Sequence, residues 1–400
     1  MTVYLGDKSY LGLKVEAFEN TPITPDIFCP LISESIKTNI NFVADRRMKG
    51  YDFKSDELLR GSRKHEGDLV VYADADNMAH LLNMLMAKGV TTGGATGYTH
   101  PFTIGNPKSY TIEIQKGPYA QRYFGVKMNT LRFDFEEQKL KLTANIKAVG
   151  QFSAGVLKEA LGGAVTSLKF GHDYDDMPNT GLVAGDVICV QLDSGSYQDV
   201  TLTSVNADGE TVGFGSLSIT ATAGNKIYLK AQTPSYASLS NPLLQGNSLI
   251  GISTTSALAD TAAASKATAT PLSELSFVLN NNLRDTQETG SQSPVRLFPQ
   301  TKEAQLTISR IFEETSQHVA WLNSIKQALT MITYGAVITG GAIKEQFTIK
   351  FHKIKPITND EANEVGSLIF DKQEMEALYD TTDAKAIEVS IVNKSAGTVY

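Results

Sequence analysis

Residues 123–150 read YFGVKMNTLRFDFEEQKLKLTANIKAVG, and the alternation of their side chains indicates how the chain folds. Apolar and charged residues alternate over 131–135, and the same alternation returns over 140–146. A period of two is typical of a half-buried strand, so this stretch predicts a long hairpin with one apolar and one charged face. The apolar phase shifts by one residue near Asn129 and Thr130, which predicts a β-bulge there.

Just before the hairpin, residues 110–116 read YTIEIQK, and much later residues 347–353 read FTIKFHK. Each heptapeptide follows a strand, a polar helix start, a helix and a glycine in the same order. The helices are predicted over 77–89, capped by Asp76 or Asn77, and over 318–335. Landmarks that recur in one order at nearly one spacing predict an internal duplication.

The segment between the two heptapeptides predicts an insert. Residues 180–231 contain short β-prone runs separated by the turn signals SGS, ADGE and TAGN, which indicates a small all-β domain. Residues 253–270 are rich in Ala, Thr and Ser and poor in large apolar side chains, so they are predicted to form a linker or an exposed loop. The expected division is a first module at 1–165, an insert at 166–235, and a linker with a second module at 236–400.

Composition excludes several classes of protein. The 400-residue chain is 42% hydrophobic, which is ordinary for packed cores, and it carries a net charge of −7, so it lacks the basic footprint of a tight nucleic-acid binder. It contains no apolar run long enough for a membrane helix and no secretory leader pattern, so it is expected to be neither secreted nor membrane-bound. Cys29 and Cys189 are too far apart for a metal-site spacing and are expected to be free thiols.

The sequence also lacks the common motifs of catalysis and cofactor binding. No P-loop, dinucleotide-binding glycine pattern, nucleophile elbow, HExxH or paired CxxC occurs. HDYDD at 172–176 and DADN at 74–77 resemble fragments of calcium loops, but neither continues to the glycine and glutamate of a complete loop. No enzyme activity, cofactor or metal is therefore expected. A duplicated β-rich unit without a site suggests a protein that works through its shape, such as a ring closed edge to edge.

Five stretches together resemble the tail tube proteins of long-tailed bacteriophages of the siphovirus type. They are distributed, in a characteristic order, over about two-thirds of the chain: GSRKHEGDLVVYADADNMAHLLNMLMAKG (61–89), PKSYTIEI (107–114), YFGVKMNTLRFDF (123–135), PLSELSFVLNNNL (271–283) and EAQLTISRIFEETSQHVAWLNSIKQALT (303–330). The insert falls outside the resemblance, as do extra domains displayed on the outside of such tubes.

The resemblance implies a mainly β fold, with β-sandwich or half-barrel modules that each carry a flanking helix. Such modules form rings of sixfold or pseudo-sixfold symmetry, and the rings stack around a tape measure protein into a tube through which double-stranded DNA later passes. A chain with two modules would form trimeric rings, and a chain with one would form hexameric rings. The tail terminator and distal tail proteins are further implied partners, with assembly in the host bacterial cytoplasm and a final location in the virion tail.

The charged face of the hairpin is the candidate functional surface, and its role stays open among lining the bore, contacting an adjacent subunit and being merely solvated. Its members are Arg132, Asp134, Glu136, Lys139, Lys141 and Lys147. Two other functions also remain open. One is a tube or ring component of a related tail or contractile injection system, and the other is a monomeric β-rich binding protein or hydrolase.

Overall fold

The structure is a computed structural model, and it describes residues 9–44, 58–94, 96–171, 181–236, 240–289, 291–312, 316–338, 343–362 and 369–396. Strands make up 58% of it and helices 7%, which confirms the mainly β prediction. The alternating runs in the sequence account for this balance, because a period of two buries one face of a strand and solvates the other.

The elements follow one another in three groups. The first group contains β1 (Leu11–Val15), β2 (Ile27–Cys29), β3 (Ser33–Glu34), β4 (Lys37–Ala44), β5 (Leu58–Tyr72), α1 (Asn77–Leu85), β6 (Ala87–Lys88), β7 (Thr92–Gly94), β8 (Gly97–Thr103), β9 (Tyr110–Lys116), β10 (Tyr119–Glu136), β11 (Lys139–Ala148) and β12 (Gly150–Phe152). The second group contains β13 (Ala154–Leu157), β14 (Ala164–Gly171), β15 (Val187–Gln191), β16 (Tyr197–Val205), β17 (Thr211–Ser218) and β18 (Lys226–Leu229). The third contains β19 (Ser248–Ser253), α2 (Ser256–Ala263), β20 (Glu274–Asn280), β21 (Arg284–Thr286), β22 (Arg296–Phe298), β23 (Glu303–Ile311), α3 (Ser316–Leu322), β24 (Gln327–Val337), β25 (Lys344–Ala362), β26 (Phe370–Ala377) and β27 (Ile387–Asn393).

The predicted hairpin is confirmed as β10 paired with β11. Glu137 and Gln138 form its two-residue turn with φ of 48° and 63°, as a type I′ turn requires. The register shifts between Met128 and Thr130, so the bulge lies where the apolar phase predicted it. Leu131 and Phe133 are fully buried and Phe135 is partly buried, because the phase after the bulge directs these side chains toward the core.

The same order of strand pairing occurs twice. In the first group the order is β4–β5–β11–β10, with β9 and β12 also paired to β10 and β1 paired to β9. In the third group the order is β20–β23–β26–β25, with β24 and β27 also paired to β25 and β19 paired to β24. The longest strand of each arrangement carries a bulge toward its hairpin partner, at Asn129 in β10 and at Ile357 in β25.

This correspondence corrects the reading of the two heptapeptides. Tyr110–Lys116 is β9, whereas residues 347–353 lie in β25, whose counterpart is β10. Aligning the bulges at Asn129 and Ile357 places Phe347 at the position of Tyr119. The heptapeptide match therefore joins strands that are not counterparts, and it reflects the aromatic and apolar alternation that buried strands share.

The two arrangements join into one sheet where β10 pairs with β20, from Thr130 opposite Asn280 to Phe133 opposite Phe277. The result is the long sheet, defined by the order β4–β5–β11–β10–β20–β23–β26–β25. Its apolar face covers a single core that draws residues from both arrangements. At the junction the Phe133 ring stacks on Phe277, with centroids 4.3 Å apart, and lies 5.6 Å from Phe347. Such stacked pairs contribute about 0.5–1.5 kcal/mol beyond the area that they bury.

The predicted helix over 318–335 is largely wrong. The helix ends at Leu322, and residues 327–337 form β24 between β19 and β25. Its apolar residues satisfy a helical period by coincidence, because β24 is covered on both faces, by the core at Leu329 and Met331 and by α2 at Thr330. The β-branched residues Thr330, Ile332 and Thr333 favour this extended form.

The predicted linker is also wrong over Ser256–Ala263, which forms α2. Ala259 and Ala263 are fully buried on β19, where a Cβ added at Gly251 would lie 2.0 Å from the Ala259 carbonyl oxygen. Small side chains let the helix and the strand approach closely. The Ala-rich composition therefore reflects tight packing in this segment rather than a missing core.

The second group of strands closes into the small barrel, in the order β13–β14–β17–β16–β15–β18. It has its own apolar core, centred on residues such as Phe170, Val190 and Val212. The barrel begins at Ala154, upstream of the position 166 expected for the insert, because Ala154–Leu157 pairs with both β14 and β18.

A buried cluster of charges fastens the small barrel to β10. Arg122 on β10 is fully buried, and its guanidinium lies 2.8 Å from Glu113 Oε2 on β9 and 2.5 Å from Asp186 Oδ2 at the start of β15. Burial opposes the charge of Arg122, but Asp186 and Glu113 outweigh it and hold its pKa above the usual value. The Tyr10 hydroxyl donates to Glu113 Oε1 over 2.5 Å, and burial with this carboxylate raises the pKa of Tyr10.

We expect Arg122→Met to destabilise the protein far more than the matched variant Arg132→Met. The first leaves Glu113 and Asp186 buried without their cation, which costs about 3–5 kcal/mol. The second removes an exposed ion pair with Asp134, which is worth less than about 1 kcal/mol. Denaturant unfolding of both variants measures the difference, and equal losses would contradict the structural role of the cluster.

Asp74, rather than Asp76 or Asn77, caps α1. Its Oδ1 accepts the backbone N–H groups of Asp76 and Asn77 at 3.0 and 2.8 Å, and its Oδ2 accepts the Asn77 side-chain amide at 2.8 Å. Burial nevertheless raises the pKa of Asp74 to about 6, against the hydrogen bonds from Asn77 that lower it. The DADN segment therefore begins a helix.

This pKa predicts a pH-dependent difference between the native chain and Asp74→Asn, which cannot titrate. The folded protein keeps the Asp74 proton up to about pH 6, whereas the unfolded chain releases it near about pH 4. Binding of this proton stabilises the folded protein fully below the Asp74 pKa of the unfolded chain. The stabilisation is lost as the pH rises through the Asp74 pKa of the folded protein. Lowering the pH from 7 to 4 should raise the unfolding free energy of the native chain relative to the variant by about 2 kcal/mol. A difference that stays constant would disprove this role of Asp74.

Candidate functional site

The six charged residues singled out in the sequence all lie on the polar side of the β10–β11 hairpin, opposite buried Leu131 and Phe133. Strand pairing places Asp134 opposite Lys141 and Glu136 opposite Lys139. Charges of opposite sign thus face each other across the hairpin, where such pairs stabilise a sheet by about 0.2–1 kcal/mol.

Most of these charges are neutralised by a neighbour. Arg132 Nε lies 2.6 Å from Asp134 Oδ2, and Lys141 Nζ lies 2.6 Å from Glu136 Oε2. Lys139 Nζ lies 4.7 Å from the centroid of the Tyr72 ring. The surface is therefore polar without being a cationic patch, and it offers little grip to a phosphate backbone.

Lys147 has a different environment from the other five. Its Nζ donates to the Leu283 carbonyl oxygen over 2.8 Å and lies 4.0 Å from Asp285 Oδ1. Both partners follow β20, so Lys147 helps to hold the junction between the two arrangements. Lys147 is therefore bound to residues after β20, and the other five charged residues remain on the part of the polar face that this segment does not contact.

The polar face continues onto the second arrangement. A shallow depression of about 400 Å³ is lined by Arg132 and Asp134 together with Ser276 on β20, Thr307 on β23 and Lys372 on β26. The sequence reasoning missed the last three residues. Their signal was present, since the polar positions of ELSFVLN, EAQLTISRI and FDKQEMEA alternate with buried ones as they do in the first hairpin.

The long sheet has two open edges in a single chain. Among the residues that the structure describes, β4 pairs with β5 alone, and residues 355–362 of β25 pair with β26 alone. Phe42 on the first edge and Ile357 on the second are each 52% exposed. An edge strand presents unpaired N–H and C=O groups together with accessible side chains, so each edge can accept a further strand.

The two counterpart helices differ in how they are covered. All nine residues of α1 are buried, and the Asn281 side-chain amide after β20 donates to the Leu85 carbonyl oxygen at the end of this helix over 2.9 Å. In α3, Val319 and Leu322 are 44% and 61% exposed. Trp321 of α3 donates to the Ile357 carbonyl oxygen, so this helix lies beside the open edge of β25. The covered helix therefore lies at the internal junction and the uncovered one at the outer edge.

Candidate groups for chemistry are sparse. Within the described ranges, no cluster of three or more His, Cys, Asp or Glu side chains is arranged to hold a metal ion. The HDYDD segment at 172–176 lies outside the described residues. Cys29 and Cys189 are free and buried. No described helix is long and apolar enough to cross a membrane. The feature that the structure does present is a polar sheet face with an open edge at each end.

Comparison with known proteins agrees with this geometry. A search of curated proteins gives no match. The phage tail tube protein family matches residues 6–377, which include the long sheet and the small barrel but not β27. A tube subunit requires a surface that repeats and edges that join, and this chain has both. The chain belongs to the phage tail tube protein family and is a structural component of the virion tail.

Proposed function

We propose that three copies of the chain close into a ring of pseudo-sixfold symmetry, and that these rings stack into the tail tube. Each copy supplies two of six similar positions, one from each strand arrangement. The observation that carries the proposal is the repeated pairing order, which ends in two open edges. The same proposal divides the chain into a first module that ends before Ala154, the small barrel as the insert up to residue 235, and a second module at 236–400.

The number of strands permits closure. Neighbouring strands of the long sheet are antiparallel throughout, so β4 at one end and β25 at the other run in opposite directions. When identical sheets follow one another around a ring, β25 of one copy therefore meets β4 of the next in antiparallel orientation. Head-to-tail contacts of this kind close into a ring when the rotations between successive copies complete a full turn, and a closed barrel leaves no edge exposed.

The polar face of the long sheet lines the bore. The apolar face already covers the core, so closure leaves the polar face for the lumen. Three such sheets make a barrel with many strands, and the diameter of a barrel grows with its strand number. The paired charges at Arg132–Asp134 and Lys141–Glu136 suit passing double-stranded DNA, because each phosphate that a protein neutralises would hold the DNA in place.

A stacked tube implies further protein partners, in its bore and at its two ends. The tape measure protein occupies the bore during assembly, which takes place in the host bacterial cytoplasm, and the tail terminator and distal tail proteins contact the two ends. The small barrel projects outward, because it is attached through Arg122 and β12, which lie at the end of β10 remote from the charged hairpin. The protein acts through its assembly and not through catalysis.

Electron microscopy of the purified chain tests the proposal. We expect hollow stacked tubes with three protruding small barrels per ring and with the charged hairpin face on the inner wall. Six chains per ring would contradict the duplicated module, and particles without a bore would contradict the tube. Single rings that do not stack would favour a distal-tail ring. A resolved assembly with Arg132 and Asp134 on the outer wall would disprove the lining role.

A further inference from the structure

We infer that the contact between neighbouring chains repeats the junction within the chain: residues 355–362 of one copy pair with β4 of the next in the register of β10 with β20. This inference rests on the proposed ring and specifies its interface residue by residue. The occupant of each open edge is a second copy of this chain, and the internal junction is the template.

The internal junction has a defined hydrogen-bonding pattern. Thr130 lies opposite Asn280 and Arg132 opposite Val278. The backbone N–H of Asn281 donates to the carbonyl oxygen of the bulged residue Asn129 over 2.7 Å. Because hydrogen-bonded and non-hydrogen-bonded pairs alternate, the 130–280 and 132–278 pairs are of the non-hydrogen-bonded kind, in which the side chains are closest.

The equivalent bulges show which residues of the open β25 edge correspond to the β10 side of this junction. Ile357 is the bulged residue of β25, as Asn129 is of β10. Counting forward from the bulge, Thr358 takes the position of Thr130 and Asp360 that of Arg132. Thr358 and Asp360 are both exposed, so none of the residues that the structure describes covers these positions.

The strand register shows which residues of β4 correspond to the β20 side of the junction. In the first arrangement, Thr130 pairs with Asn145 on β11, and Asn145 pairs with Asp68 on β5. The pairs on either side of Asp68 place it opposite Ser35, just before β4. In the second arrangement, Thr358 pairs with Glu374 on β26, and Glu374 pairs with Thr307 on β23. Thr307 in turn lies opposite Ser276 on β20. Ser35 is therefore the counterpart of Ser276, which makes Lys37 the counterpart of Val278 and Asn39 that of Asn280.

The predicted interface follows from these equivalences. Thr358 lies opposite Asn39 of the next copy, and Asp360 lies opposite Lys37 of the next copy. Asp360 and Lys37 carry opposite charges and are both exposed in the single chain. The register derived from backbone pairing alone thus places an acid opposite a base, which stabilises antiparallel strands, and it avoids the like-charge pairs that destabilise them.

The coverage of the helices agrees with the same arrangement. Within the chain, segments after β20 cover α1, whose counterpart α3 leaves Leu322 61% exposed beside β25. In the ring, β4 and β5 of the next copy lie beside α3, as Asn281 just after β20 lies beside the end of α1. Exposed Phe42 and Leu59 on these strands provide apolar surface for that contact.

Disulfide trapping tests the register. Asn39→Cys combined with Thr358→Cys in one chain places the two thiols of each joint directly opposite, where Cβ atoms lie about 4.5–5.5 Å apart, close to the separation that a disulfide needs. Lys37→Cys with Asp360→Cys is a second in-register pair. Lys37→Cys with Thr358→Cys is the matched control, because its positions are displaced by two residues. The native Cys29 and Cys189 are buried and give little background.

The assembled variants are oxidised and analysed on a denaturing gel without reductant. We expect covalent trimers from both in-register pairs and monomers from the control and from each single variant. Trimers from the control alone would overturn the register. Native rings seen by microscopy, with no cross-link from either in-register pair, would overturn the edge assignment while leaving the ring intact. Absence of rings from the native chain would overturn the proposed function itself, and with it this interface.

Discussion

The fold depends on one requirement, that the backbone hydrogen bonds of a sheet edge find partners. Within the chain this requirement is met where β10 pairs with β20, and the stacked rings of Phe133 and Phe277 pack against this junction on the core side of the sheet. That pairing converts two four-stranded arrangements into one sheet over one core. Among the described residues, it leaves β4 paired with β5 alone and residues 355–362 of β25 paired with β26 alone. In the proposed ring, pairing between neighbouring copies meets at these edges the requirement that folding meets at the internal junction.

Much of the sheet could be predicted from the sequence because its period is two. The hairpin from Tyr119–Glu136 to Lys139–Ala148 has an alternation long enough to fix its faces, and the slip at Asn129 fixed its bulge. The mainly β class and the family followed from the same patterns. The same alternation predicted that the six charged residues share the polar side of the hairpin, but the hydrogen bond from Lys147 to the Leu283 carbonyl oxygen depends on a contact distant in sequence.

The errors share a physical cause, which is tertiary packing that local pattern does not encode. Residues 327–337 satisfy a helical period, but pairing with β19 and β25 makes them a strand. The Ala-rich α2 was read as a linker because its packing partner, Gly251, has no side chain to signal the contact. The equivalence of β10 with β25 was hidden because sequence similarity between buried strands is weaker evidence than the order in which strands pair.

The central claim is that both open edges are satisfied by neighbouring copies of the chain. Amide hydrogen exchange compared between the monomer and the assembled tube tests this most directly, because it reports backbone hydrogen bonds residue by residue. The account predicts that β4 and residues 355–362 gain protection on assembly, while β10 and β20 are protected in both states. Equal exchange of these edge amides in the monomer and the tube would contradict it.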